Sequence, residues 1–140
     1  MSIPEMPEFW SPLHGLALLQ LAIAAADGVI EDAEIGVMMS RLAKALDGDQ
    51  AQARRVADEA YAFFQSSWQA GGAAGADEAV ASQIAYLRAE YADNLDKLQV
   101  HVASLIAVAE SSPGIHAAES AVIAQVMRVW GVGPGWRPSD

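Results

Sequence analysis

The chain contains no cysteine, which removes disulfides, iron–sulfur clusters and thiolate zinc sites from consideration. Positive charge is scarce as well: 8 Lys and Arg stand against 18 Asp and Glu, a net charge of −10. Phosphate backbones and anionic lipid surfaces repel such a chain. The basic residues are scattered, with Arg54-Arg55 the one adjacent pair, so nucleic acid is not an expected partner. Divalent cations and protein partners with basic surfaces fit the charge better. Long apolar runs are also missing. The longest, Leu13 to Ala26, is interrupted by His14 and Gln20 and is too short to span a bilayer, so direct membrane insertion is not expected. The acidic, proline-containing start lacks the basic and apolar regions of a secretory signal, and a cytoplasmic location is the expectation.

What the chain has in quantity is alanine and leucine, with 53% hydrophobic residues over 140 positions. This composition favours helix, and the length suits one domain with a real core. Ser11-Pro12 reads as a helix start, with a capping serine and proline at the first helical position. That helix is apolar on most sides to about Ala26 and is expected at the centre. Asp27-Gly28 stops it. A second helix begins near Glu31 or Asp32, with Ile35, Met38, Met39, Leu42, Ala45 and Leu46 on its apolar face, and Asp47-Gly48-Asp49 ends it.

A third helix is expected over roughly 50–69, with Val56, Ala60, Phe63 and Phe64 inward. Gly71-Gly72-Ala73-Ala74-Gly75 then reads as a flexible break. A fourth starts near Asp77 and buries Val80, Ile84, Leu87 and Tyr91. Asp93-Asn94 caps a fifth, with Leu98, Val102, Leu105, Ile106 and Ala109 inward, and a sixth runs from about His116 to Trp130. No stretch alternates as a strand does. The expectation is an all-α single-domain bundle of about six helices over 1–140, with an N-terminal arm over 1–10 and a tail over 131–140.

A shift of 85 residues superposes two helix–turn–helix units, Leu13 to Leu46 on Leu98 to Gly131. Ala24 meets Ala109, Ile30 meets Ile115, Glu34 meets Glu119 and Val37 meets Val122. Ile30 and Ile115 precede the second helix of each unit as a hydrophobic staple would. Glu34 and Glu119 fall at its third position, where a carboxylate reaches back to the cap amide and faces the positive helix end.

The stretch Ala24-Ala25-Ala26-Asp27-Gly28-Val29-Ile30-Glu31-Asp32-Ala33-Glu34 resembles the Ala-rich turn of the TerB-like family, which includes tellurite-resistance proteins and the N-terminal domain of DjlA-type co-chaperones. The resemblance implies an all-helical fold with this hairpin twice and a role in tellurite and other stress responses. It also implies a divalent-metal site at the acidic turns. The second copy departs from the pattern, with Ser112-Pro113 where the family has Asp-Gly.

Two accounts of the acidic turn stand side by side. Asp27, Glu31 and Glu34, joined by Glu119 if the repeats pack about a pseudo-twofold axis, would make an oxygen-rich site for calcium, magnesium or manganese. Alternatively these residues only shape the turn and the helix start. An EF-hand is excluded, because aligning Gly28 with the loop glycine puts Ile23 and Ala25 at ligand positions that need oxygen. The histidines, His14, His101 and His116, show no metal-ligand spacing and are expected at the surface or half-buried. No nucleophile elbow, phosphate loop or Glu-x-x-His element occurs, so no catalytic residue is expected. Three functions remain: an acidic helical module that binds a protein partner, with or without a bridging cation; a pure scaffold recognised by an exposed apolar patch; and a carboxylate–metal enzyme. A homodimer fits the first two.

Overall fold

The structure is a computed structural model that describes residues 6–25, 32–110 and 117–132. Five helices run in the order α1 (Pro12–Ala25), α2 (Asp32–Ala45), α3 (Gln50–Glu90), α4 (Leu95–Glu110) and α5 (Ala117–Trp130). The described residues contain no strand. The all-α expectation holds, with five helices where six were anticipated.

The difference lies in α3. Its 41 residues form one helical run with a bend at Gly72 (φ 61°, ψ −144°). Neither Gly71 nor Gly75 leaves the helical region, so the glycine-rich stretch is a single hinge and not a loop. The alanines at 70, 73, 74 and 76 favour helix strongly enough to carry it up to the bend on both sides. Only a residue without Cβ takes the Gly72 conformation cheaply.

α1 is the hub. Eleven consecutive residues, His14 to Ala24, are buried, and the helix packs against all four others. Close approach to α3 depends on Gly15, where a Cβ would meet Gln83 Oε1 at 2.9 Å and Leu87 Cγ at 3.4 Å. Caps follow the sequence. Asp49 accepts the Gln52 amide at 3.0 Å to start α3, and Asn94 accepts the Lys97 amide at 3.2 Å to start α4. Asp47 and Gly48, both at positive φ, close α2 through Gly48 N–H donating to Ala43 O at 2.7 Å.

The repeat appears in burial. Leu16 and His101, Ala17 and Val102, Ile23 and Val108, Ala24 and Ala109, Glu34 and Glu119, and Met38 and Ile123 are buried pairs 85 residues apart. The hairpins α1–α2 and α4–α5 diverge further along. α2 buries Leu42 and Ala43 and leaves Ala45 exposed, whereas α5 buries Val126 and Trp130. Trp130 donates its indole N–H to Ile84 O at 2.9 Å, which ties α5 to the second arm of α3. The staple residues Ile30 and Ile115 lie outside the described residues, as does the tail beyond Val132.

Replacing Gly72 by alanine is expected to lower stability by about 1–3 kcal/mol, since a side chain there has open space but a strained backbone. Gly71→Ala, one residue earlier and helical, is expected to raise it by about 0.5–1 kcal/mol. Urea denaturation of both variants checks the pair; equal effects would refute the hinge at Gly72.

Candidate functional site

Of the expected acidic quartet, Asp27 and Glu31 lie outside the described residues. Glu34 and Glu119 each sit third in their helices, α2 and α5, and each is 0% exposed. Neither is a free carboxylate. A carboxylate at that depth near a helix start is stabilised by the positive end of the helix and its unbonded amides. Glu110 is exposed at the end of α4. Among the described residues, no group of three or more His, Asp or Glu side chains is placed to hold a metal ion.

The structure corrects the expectation for two histidines: His14 and His101 are both buried. His14 is held on every side. Its Nδ1 accepts the Ser11 backbone N–H at 3.1 Å and lies 2.8 Å from Ser11 Oγ. An acceptor role for Nδ1 places the ring proton on Nε2, which then donates to Glu59 Oε1 at 3.0 Å. Phe9 and Trp10 pack on the ring with centroids at 5.5 and 5.0 Å. A cleft of about 490 Å³ opens beside it, with Asp49, Gln52 and Arg55 in its wall.

Serine, histidine and glutamate in line resemble a nucleophile relay. Here, however, the Nδ1 lone pair also receives a fixed backbone amide, so the base that Ser11 would need is already engaged. His14 works as a capping-box residue, third in α1, and as a latch from α1 to α3. The Ser-x-x-His spacing was visible in the sequence. Glu59, 45 residues away, was not. Trp10 extends the latch by donating its indole N–H to Gln83 Oε1 at 2.8 Å and packing on Phe63 at 4.9 Å.

His101 lies between Tyr91, edge-on at 5.3 Å, and Trp130 at 6.5 Å, and its Nε2 has no hydrogen-bond partner. Burial, with a smaller contribution from the Lys97 charge, lowers its pKa from 6.5 to about 4. The ring is neutral at physiological pH and serves as an aromatic packing element; the equivalent position in α1 is Leu16. Burial, and then the Glu90 charge, raises the pKa of Tyr91.

A second cleft, of about 730 Å³, lies where α3 bends. Ala22 and Ala25 of α1, Phe64, Trp68, Ala73, Ala76, Asp77 and Val80 of α3, and Ala121, Val122 and Gln125 of α5 line it. Five of its eleven lining residues are alanine, which is why space remains between the helices. Trp68 stands 52% exposed at its edge, and Tyr61, 45% exposed, lies two turns earlier on α3. Sequence periodicity set Phe63 and Phe64 inward, gave Tyr61 and Trp68 no place of their own, and missed this face. The signal was the spacing Tyr61, Phe64, Trp68, a stripe of its own beside the inner one.

Protonating buried His101 is unfavourable, so the folded state binds that proton less readily than the unfolded chain. The His101 contribution is full above pH 6.5, declines as pH falls towards 4 and is level below. It amounts to about 2 kcal/mol lost by pH 5. His101→Phe is expected to flatten the stability profile between pH 7 and 5 by that amount, as measured by urea denaturation at several pH values.

Comparison with known proteins gives one family match. A family model described as tellurite resistance protein TerB covers residues 14–137. No curated protein and no solved structure matches the chain. Among the described residues, no helix is long and apolar enough to cross a membrane.

Proposed function

Because the chain belongs to the tellurite resistance protein TerB family, we propose that it serves that family's stress response as a non-enzymatic interaction module that docks a protein partner. The observation that carries the reading is the aromatic stripe of α3. Tyr61 and Trp68 stand in solvent at helical spacing, with Phe64 half-buried between them. Single exposed apolar residues are ordinary, but large ones aligned beside an apolar cleft mark a contact surface. The buried Glu34 and Glu119 fit a structural role at the hairpins, leaving recognition to the outer face of α3.

A photo-crosslinking residue in place of Tyr61 tests this in the host cell, with Ala103, exposed on α4, as the control position. One discrete partner crosslinked from position 61 and absent from position 103 is expected. Equal labelling from both positions, or none from 61, would overturn the reading.

A divalent cation shared by Asp27, Glu31, Glu34 and Glu119 is a separate proposal. Its support is that Glu34 and Glu119 occupy equivalent, equally buried positions in the two hairpins. Calorimetry with calcium, magnesium and manganese is expected to show saturable binding that Asp27→Ala abolishes. A flat titration removes the cation and leaves the docking surface untouched.

A further inference from the structure

Resting on the docking reading above, we infer that the cleft at the Gly72 bend receives a basic amphipathic helix of another protein, which seats large apolar side chains between α3 and α5. Shape is the first ground. The stripe from Tyr61 to Trp68 runs about 10 Å along α3 and leads into the cleft of about 730 Å³. An elongated apolar track with alanine walls suits side chains projected at i, i+3, i+4 and i+7 from one helix. Ala73 and Ala121 line it from opposite helices. Their small side chains leave the depth that a leucine or phenylalanine anchor fills.

Charge is the second ground. The one charged side chain in the wall is Asp77, followed by exposed Glu78, on a chain of net charge −10. A second copy would bring −10 against −10, and an anionic lipid surface meets the same repulsion. A helix with lysine or arginine flanking its apolar face is attracted instead and places a cation at Asp77 and beside the exposed Trp68 ring. The bend supplies the geometry: it turns the second arm of α3 out of line with the first, and Trp68 and Asp77, on either side of it, line one opening.

The probe is a synthetic leucine–lysine amphipathic helix of about five turns, titrated into the isotope-labelled full chain and followed by NMR. Saturable binding is expected, with shifts confined to the surroundings of Trp68, Ala73, Asp77 and Val122. Asp77→Lys and Ala121→Arg, both at exposed positions, are expected to weaken it by about tenfold or more.

A leucine–glutamate helix that binds equally well, shifts centred on another face, or affinity unchanged in both variants would overturn the inference. So would concentration-dependent dimerisation that Trp68→Ala abolishes, because it would seat a second copy in the cleft. Crosslinking from position 61 without binding of the leucine–lysine helix would refute the partner class and leave the module reading standing. Binding of that helix without any crosslink from 61 would refute the module reading alone.

Discussion

The fold depends on the complete burial of α1. A helix that is apolar all round has no solvent face and must be enclosed, and enclosing it takes surface from every other helix. The long α3 supplies the largest share. It can do so because Gly15 lets the two backbones approach and Gly72 lets α3 change direction along the way. Burying leucine and isoleucine side chains contributes about 1.5–3 kcal/mol each, and α1 alone buries Leu16, Leu18, Leu19, Leu21 and Ile23. Gln20 lies among them fully buried, with neither amide atom hydrogen-bonded. The equivalent place in the second hairpin is taken by Leu105, so the two copies solve the same packing position with different chemistry.

Three pairs involving polar side chains act as ties between elements of the bundle. His14 and Glu59 join α1 to the first arm of α3, while Trp10 and Gln83 join the N-terminal residues to the second arm. Trp130 and Ile84 join α5 to that second arm. Each tie pairs a buried or half-buried donor with an acceptor far away in sequence, and a buried donor left alone would cost about 1–3 kcal/mol. His101, like Gln20, makes no such tie: it is neutral and packed between two aromatic rings, with one nitrogen unpaired.

The two hairpins are asymmetric in what they bury. α3 lies between them in the chain, and its bend opens a cleft against α1 and α5. The stripe Tyr61–Phe64–Trp68 belongs to the inserted helix, outside the two repeated hairpins.

By itself the sequence determined the helical class, most helix ends, the inward faces, the 85-residue repeat and the family. These follow from periodicity, caps and turn residues, which act over four or five positions and leave local traces. The tertiary structure decided the remainder. It made one bent helix of two expected ones, because alanines on either side of Gly72 sustain helix wherever packing permits. It buried His14 and His101, because their neighbours Glu59 and Trp130 come from other helices, and a histidine's environment has no local signature. It sorted the aromatics of α3 into an inner and an outer stripe, because the wall that α1 and α5 present to each face exists only after the chain has folded.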